Sequence, residues 1–415
     1  MNSILIKNIT IINPVDKEPL ENVAILIKNK KIANIGKSTC IDIDDGTKVI
    51  DGDGKFILPG FIDMHVHVMA NGFIKEDDLT NPVANYFYQA VVNMKDTINA
   101  GVTYVRDCGL ADIGVKTAVN KKIFPAPKMK ISVMPLSITG GHFDFYLNSG
   151  IDMIIQYPGL PHPVCDGIEG VLAKTREVFR ARADFIKVMA TGGVISPNDA
   201  PEYSQFNVKE LKTIVKEANM RGGAKVSAHA HGLGGIKNSV KAGIQFIEHG
   251  TYIDNETAEL MVKKGTYLIP TCSVMGGAVD QANQGLLTEE SAKNALEADR
   301  VHKGNMITAY KAGVKMLMGT DSGVSPHGNN LRELELLCDI GMSPMEAISS
   351  GTIEAAKALE IDNEVGSIEI GKSADMIMVE KNPLNDISHL GNPVNILMVI
   401  QDGNIVKDII NIQNE

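Results

Sequence analysis

Two histidines close an apolar run near the start of the chain. Residues 58–70 read LPGFIDMHVHVMA, so His65 and His67 are separated by one residue. In a β-strand, side chains two positions apart point to the same face, and both imidazoles would converge on one point. Neutral imidazole is the commonest protein ligand for zinc-like cations, so the pair predicts half of a metal site. Two core histidines bonded to the backbone are the alternative interpretation of an isolated pair.

More ionisable residues lie at the ends of later apolar runs, and the whole set decides between these interpretations. In a barrel of parallel strands, the carboxyl ends of the strands meet at one mouth, so side chains far apart in sequence become neighbours. Histidines that only fill a core have no reason to occupy the same end of successive strands, which favours a metal centre. The later members of the set are Lys187, His229, His231, His249 and Asp321.

Eight apolar runs separated by segments of helical period predict an α/β fold. Eight parallel strands over about 300 residues are what a closed (β/α)₈ TIM barrel requires. The long connections 137–162 and 273–291 are candidates for elements that enclose a substrate. The predicted strands are 61–67, 102–107, 129–134, 185–190, 225–231, 245–249, 267–271 and 315–321. The predicted helices between them include 85–100, 167–183, 208–221 and 254–264.

Short alternating runs at both ends of the chain predict a small β unit beside the barrel. Short strands at the two ends are most economically paired with each other, which gives one small β-sandwich. We therefore expect residues 1–58 and 361–415 to form the sandwich and residues 59–360 to form the barrel. The runs lie at 3–10, 23–29, 31–35, 48–50, 56–58, 366–379 and 396–409.

Composition excludes several classes of partner. The 415 residues carry a formal net charge of -10, with a pI of about 5.5, and show no Lys/Arg cluster for nucleic acid or a membrane surface. No apolar stretch approaches the roughly 18 residues of a spanning helix, and no signal peptide is evident, so a cytoplasmic location is expected. The five cysteines show no C-x-x-C pair and are expected to be reduced. Symmetric assembly is common among such enzymes, so a homo-oligomer is expected.

The pattern resembles the amidohydrolase superfamily of metal-dependent hydrolases over nearly the whole chain. The segments that carry the resemblance are LPGFIDMHVH, FIKVMATGGV, SAHAHG, FIEHG, MGTDSG and GSIEIGKSADMIMVEKNPL. Within the superfamily, the sequence looks most like the dipeptidase branch related to imidazolonepropionases, which includes Xaa-Pro dipeptidases. The segments TGGHFD, ATGGV and GTDSGVSPHG point to this branch.

The resemblance implies a centre of two divalent metal ions. In it, His65, His67 and Asp321 bind the first ion, and His229 and His249 bind the second. The family's spacing of 20 residues between the last two ligands selects His229 over His231. Zinc suits these donors, and manganese, cobalt and iron stay open as alternatives.

Lys187 would bridge the two ions. A protonated amine has no lone pair to donate and would be repelled by two dications. In the enzymes that the chain resembles, the amine is carboxylated by carbon dioxide, which turns a cation into a bidentate anion. An inward-facing lysine paired with a carboxylate is the alternative.

The resemblance also implies roles in catalysis and substrate binding. Asp321 would take a proton from a metal-bound hydroxide and deliver it to the leaving nitrogen. His231 or His142 would donate to the developing oxyanion, although His142 could instead stabilise its own turn. Arg106 would bind a substrate carboxylate or form an internal ion pair. His327 would contact the substrate or orient the loop of Asp321.

The expected function is therefore hydrolysis of a small amide, most simply a dipeptide that ends in proline. A cyclic-amide hydrolase of the imidazolonepropionase type, with one metal ion, is the first alternative. Lys187 argues against it, because a mononuclear site has little use for a bridging ligand. An inactive relative that serves as a scaffold is the alternative from another class.

Overall fold

A computed structural model of the chain describes residues 3–72, 80–147, 149–195 and 199–410. Strands, with a few short 3-10 helices, occupy the first and last parts of the described chain, and strands alternate with α-helices between them. The strands are β1 Ser3–Ile11, β2 Leu20–Lys28, β3 Lys31–Gly36, β4 Lys48–Asp51, β5 Phe56–Pro59, β6 Phe61–Val66, β7 Val102–Asp107, β8 Lys128–Ile131, β9 Ile186–Met189, β10 Val226–Ala230, β11 Phe246–His249, β12 Tyr267–Ile269, β13 Met376–Val379, β14 Ile396–Gln401 and β15 Asn404–Asp408. The helices are α1 Val83–Asn99, α2 Ile113–Asn120, α3 Gly167–Arg180, α4 Val208–Asn219, α5 Leu233–Ala242, α6 Asn255–Lys264, α7 Cys272–Asn283, α8 Glu289–Lys311, α9 Arg332–Asp339, α10 Pro344–Ser350 and α11 Ile353–Ala358.

Strands from the two ends of the chain share one sheet. Its order is β15-β14-β13-β5-β1-β2-β3, and β4 pairs with β1. The junction is the antiparallel pair β13 and β5, in which Met376 lies opposite Pro59. The predicted pairing of the termini is therefore present. The hydrogen bonds join the strands into one mixed sheet, however, and the division into a sandwich and a barrel stays a prediction.

The seven strands from β6 to β12 are parallel and fall into two sheets within the described residues. One contains β6, β7 and β8, and the other contains β9, β10, β11 and β12. The predicted eighth strand, 315–321, is wrong as a regular strand, because it makes only isolated bridges at Met316 and Ser322. Asp321 has a φ of 56°, which turns the chain away from a continuous ladder.

Hydrogen bonds nevertheless cross both gaps between these sheets. Residues 315–322 lie between β12 and β6: the amide of Leu317 donates to Leu268 at 2.9 Å, and the amide of Met64 donates to Met318 at 3.0 Å. At the other gap, Leu136 donates to the carbonyl of Lys187 at 2.9 Å. The predicted strand 129–134 ends early at Ile131, since Val133 adopts a left-handed φ of 64°.

Local capping fixes the helices between the strands. The side chain of Asn207 accepts from the amide of Glu210, whose own side chain accepts from the amide of Asn207, and this capping box begins α4. Helix α6 is capped at its start by Asp254 and at its end by Gly265, which adopts the left-handed conformation that favours glycine. The predicted connection 273–291 is largely helical, since α7 occupies most of it. Among the described helices, none is long and apolar enough to cross a membrane.

Candidate metal centre

The structure brings His65, His67 and Asp321 together. The two histidines lie at the end of β6, and the amide of Asp321 donates to the carbonyl of His65 at 2.8 Å. Nε2 of each histidine lies 3.4 Å from Oδ1 of Asp321. Gly319 permits this close approach, because an added Cβ would lie 2.4 Å from Cγ2 of Ile269. One ligand atom from each of the three residues lies within 4.8 Å of the others, as a shared metal ion requires.

A second group of potential ligands consists of His229, His231 and His249. Their ligand atoms also lie within 4.8 Å of one another. The rings of His231 and His249 stack with their centroids 4.5 Å apart, and the ring of His229 lies 4.7 Å from each. His229, in β10, and His231, directly after β10, are therefore both next to His249. The ring centroids of His65 and His249 are 5.2 Å apart, so the two groups are neighbours.

Lys187 lies beside both groups. It is only 1% exposed, and its Nζ has no hydrogen-bond partner among the residues that the structure describes. Its charge contributes to lowering the pKa of His65, His229 and His249. A buried amine with no acceptor is costly, so this arrangement calls for a group that the protein chain alone does not supply.

Acceptors behind the histidines fix the orientation of their rings. Nδ1 of His65 bonds Oε2 of Glu248 at 2.9 Å, and Nδ1 of His67 bonds the carbonyl of Gly109 at 3.3 Å. Nδ1 of His249 bonds the hydroxyl of Thr271 at 2.7 Å. Each contact leaves Nε2 of the ring available to the centre, which is the usual support of metal-ligating histidines.

The rings of the second group have similar anchors. Nδ1 of His231 bonds the hydroxyl of Thr251 at 2.8 Å. His229 differs, because its Nε2 rather than its Nδ1 lies close to a backbone acceptor, at 3.2 Å from the carbonyl of Gly192. Sequence analysis assigned no role to His302, yet its Nε2 bonds the carbonyl of Pro270, next to Thr271.

The protonation states of the site suit metal ligation. Burial, with the charge of Lys187, lowers the pKa of His65 to about 4. Burial likewise holds the pKa of His229 and His249 well below the usual value. Burial raises the pKa of Asp321, but the charge of His65 and other neighbours outweighs it, so the pKa lies below its ordinary value. Neutral imidazoles and an ionised carboxylate are the forms that bind metal.

His67 is the exception in its group. Burial lowers its pKa, but the hydrogen bond and charge of Asp321 outweigh burial, and the pKa lies above the ordinary value. Asp321 therefore favours the protonated form of His67 when no other cation is present. A divalent cation would take the place of that proton, because both residues would then act as ligands.

Arg106 does not lie where a substrate carboxylate would bind. It is 1% exposed, and Nη2 contacts Oε1 of Glu248 at 2.5 Å while Nε donates to the carbonyl of Met64 at 2.6 Å. Ser227 donates to the same oxygen of Glu248. The prediction of a substrate contact is wrong, and the alternative, an internal ion pair, is what the structure shows. The reason is that the guanidinium points to the interior, where Glu248 supplies its counter-charge.

The two remaining predicted residues occupy different positions. The ring of His142 stacks on that of His229 with centroids 4.2 Å apart, and its Nδ1 lies 3.0 Å from Oδ2 of Asp199. His142 is therefore part of the site. His327 contacts the backbone of a candidate ligand: its Nε2 lies 3.3 Å from the carbonyl of His67, and its Nδ1 lies 3.2 Å from the hydroxyl of Thr97. That position supports the first group of ligands rather than a contact with substrate.

Sequence analysis missed Glu248, which joins His65, Arg106 and Ser227. It lies in FIEHG, immediately before a predicted ligand, and a carboxylate in so apolar a strand was an available signal. Cys108 also lies close to His65 and Glu248. Burial raises the pKa of its thiol to about 12, so it remains protonated and packs as a small apolar group.

The donor set fits divalent cations. Five imidazoles and one carboxylate suit zinc, and they do not exclude manganese, cobalt or iron. The amine of Lys187, which has no hydrogen-bond partner among the described residues, would also suit a metal site if carboxylation gave it a negative charge. The residues that would hold two ions are His65, His67, Asp321, His229, His249 and Lys187, with His231 as the alternative to His229.

Comparison with known proteins supports this interpretation of the site. The model of the amidohydrolase family matches residues 56–406. Ochratoxinase of Aspergillus niger is 33% identical over 415 residues, covering 95% of this chain and 85% of that protein. The crystal structure of a Xaa-Pro dipeptidase with bound methionine in the active site is 32% identical, with a TM-score of 0.89 over 98% of this chain and 100% of that chain. An imidazolonepropionase of Shewanella halifaxensis is 24% identical over 423 residues, covering 96% of this chain and 97% of that protein.

These likenesses confirm the resemblance that the motifs predicted. The family match spans both groups of histidines and the strands that carry them. The matches to ochratoxinase and to the Xaa-Pro dipeptidase, each more than 30% identical, extend over nearly all of this chain. The chain therefore belongs to the amidohydrolase family and is a hydrolase that acts on carbon–nitrogen bonds.

Proposed function

We propose that this protein is a dipeptidase that uses two divalent metal ions to hydrolyse a small amide, most simply a dipeptide ending in proline. The observation that carries the proposal is Lys187, a buried amine beside both groups of histidines with no hydrogen-bond partner in the described structure. Carboxylation would give this side chain two oxygens and a negative charge. It would then help to hold both ions, which gives a role to a buried lysine whose charge acts on both groups of potential ligands.

The ions would supply Lewis acidity, which makes a bound water more acidic and polarises the carbonyl of the substrate. The protein supplies the proton transfers. Asp321, an ionised carboxylate at the centre, would accept a proton as water attacks and would later deliver it to the leaving nitrogen. An amine leaves far more easily than an amide anion, so this second transfer is essential for an amide substrate.

Two further histidines would bind the substrate. Nδ1 of His231 contacts the hydroxyl of Thr251. When that hydroxyl donates to Nδ1, the hydrogen of the neutral ring lies on Nε2, which would donate to the carbonyl oxygen of the substrate. His142 stacks on His229, and its Nδ1 contacts Asp199. Its Nε2 would be a second donor in the protonated ring, in which both nitrogens carry hydrogen.

We also infer that the seven parallel strands and residues 315–322 close into one (β/α)₈ barrel. The backbone hydrogen bonds across both gaps support this fold, as does the likeness to the Xaa-Pro dipeptidase structure. In such a barrel, catalytic residues lie at the carboxyl ends of the strands, where both groups of histidines are found. Residues 1–58 and 361–415 would then form the accompanying β domain.

The likeness to a Xaa-Pro dipeptidase supports a dipeptide substrate, and the likeness to ochratoxinase leaves room for another amide. A cyclic-amide hydrolase is the second candidate, supported by the more distant likeness to imidazolonepropionase. Lys187 disfavours it, because a site for one ion needs no bridging ligand. The presence of every implied ligand disfavours an inactive scaffold.

The test is a substrate panel with the holoenzyme purified without chelators. It compares Xaa-Pro dipeptides, dipeptides with other carboxyl-terminal residues, N-acyl amino acids and cyclic amides, and it detects released amine. We expect turnover of dipeptides with a preference for proline at the carboxyl-terminal position. Ring opening of a cyclic amide, with no amine released from any dipeptide, would contradict the proposal.

A further inference from the structure

A cavity lies away from the candidate metal centre, at the amino-terminal ends of the parallel strands. Its volume is about 180 Å³, and its lining includes Phe185, Lys225 and Phe246, which lie at the beginnings of β9, β10 and β11. The candidate ligands His229 and His249 lie at the opposite ends of the same strands. The cavity is therefore distinct from the site described above.

Arg106 forms the inner wall of this cavity. Its guanidinium lies over the rings of Phe246 and Phe185, at 4.6 and 5.3 Å from their centroids, and both rings also line the cavity. Nε and Nη2 are bonded to Met64 and Glu248, but the buried Nη1 has no hydrogen-bond partner in the described structure. A buried N–H of a charged group without an acceptor is costly, and the residue that carries this N–H is among those that line the cavity.

The other charged groups of the cavity favour an anion. Its lining includes Lys130, Arg221 and Lys225 besides Arg106, against two carboxylates. Asp184 lies 2.5 Å from Lys116, Glu360 lies 2.6 Å from Lys225, and Arg221 lies 3.4 Å from Glu217. In the part of the chain that the structure describes, Lys130 is therefore the cation of the lining that is left without an ion pair.

Lys130 offers the second donor. Its Nζ donates to the carbonyl of Leu359 at 2.8 Å, and an ammonium group carries three hydrogens. Burial lowers its pKa, as expected for a cation that lacks a fully compensating negative charge. An anion between Lys130 and Arg106 would supply an acceptor for Nη1 of Arg106 and a negative charge beside Lys130.

We propose that this cavity binds a small oxyanion, of the size of phosphate or acetate, between Arg106 and Lys130. A guanidinium and an ammonium together are a common way to hold such oxygens. Arg106 also bonds Glu248, which in turn bonds His65, so the bound anion would be connected to the candidate metal centre through side-chain contacts. The binding proposal itself does not depend on the proposed function.

The experiment measures binding of inorganic phosphate and of acetate to the holoenzyme by titration calorimetry. Two variants are compared with the wild type: Lys130→Gln, which removes one of the two donors, and Lys303→Gln, which removes a cation from an exposed pair with Asp339. We expect saturable binding that K130Q weakens about tenfold or more and that K303Q leaves unchanged. The stronger of the two probes tells whether a tetrahedral or a planar oxyanion fits.

Two results would overturn the proposal. Binding that is equally strong in K130Q would place the anion elsewhere, most simply at the metal ions. An absence of saturable binding to the wild type would show that water alone satisfies Arg106. If K130Q unfolds, Arg106→Lys serves in its place, since it keeps the positive charge and removes Nη1; unchanged affinity in that variant contradicts the proposal too.

Discussion

Replacing Glu248 by alanine tests whether the contacts behind His65 support the centre. Glu248 is completely buried, and its carboxylate accepts from Arg106, Ser227 and His65. Its pKa lies below the ordinary value: burial raises the pKa, but the charges of Arg106 and Lys187 outweigh burial. The substitution would leave the buried guanidinium of Arg106 without its counter-charge.

The expected cost is large. Breaking a buried ion pair from one side costs about 3–5 kcal/mol, against a total stability of about 5–15 kcal/mol for a folded protein. Glu248→Gln should cost less, because its amide oxygen still accepts one hydrogen bond. The matched control is Glu369→Ala: the side chain of Glu369 is 47% exposed and pairs with Lys372, so its loss should cost less than about 1 kcal/mol.

The assay is urea unfolding of the metal-free proteins followed by circular dichroism, because bound metal would add its own stabilisation. A second measurement is the metal affinity of the refolded variants. Loss of a contact behind a ligating histidine typically weakens metal binding by about 10–100-fold. If E248A were no less stable than E369A and bound metal as tightly as the wild type, the inferred support of His65 would be refuted.

Three further predictions follow from the contacts described above. Asp321→Asn should lower kcat by about 10²–10⁴-fold, because an amide cannot accept the proton; activity near the wild-type level would exclude Asp321 as the proton acceptor. Thr271→Val removes the partner of His249 and should weaken metal binding by about 10–100-fold in a competition assay with a chelator; unchanged affinity would count against this support. Asp402→Asn, which removes the charge that pairs with Lys128, should lower the free energy of unfolding by about 1–2 kcal/mol at neutral pH. Asp44→Asn, at the exposed pair with Lys28, should lower it by less. Lys122 and Lys128 outweigh burial and lower the pKa of Asp402 to about 2, so its contribution is complete above its unfolded-state pKa of 3.8 and is lost as pH falls through 2; a pH-independent difference in unfolding midpoint would contradict this.

The local part of the site could be predicted from the sequence. His65 and His67 are two positions apart in an apolar strand, and strand geometry alone places them on one face. The parallel strands and most of the helices follow from the period of the apolar residues, which is also a local property. These predictions agree with the structure because the apolar residues of these strands and helices are buried in the core, as their spacing predicts.

Other features depend on contacts that no local pattern contains. Glu248 and His249 are adjacent and would point to opposite faces of a regular strand, yet both reach the site because His249 has a left-handed φ of 70°. Asp321 has a similar conformation, which also interrupts the predicted eighth strand. The sequence left two roles open for Arg106, and only its distance to Glu248, 142 positions away, decides between them.

The central claim is that Lys187 bridges two metal ions. The most direct measurement is elemental analysis of the wild type and of Lys187→Ala, both purified without chelators. We expect about two ions per chain in the wild type and a loss of bound metal in the variant, since four imidazoles and one carboxylate would have to hold two dications without the bridging anion. A wild-type protein without metal, or a variant that retains the full metal content, would contradict it.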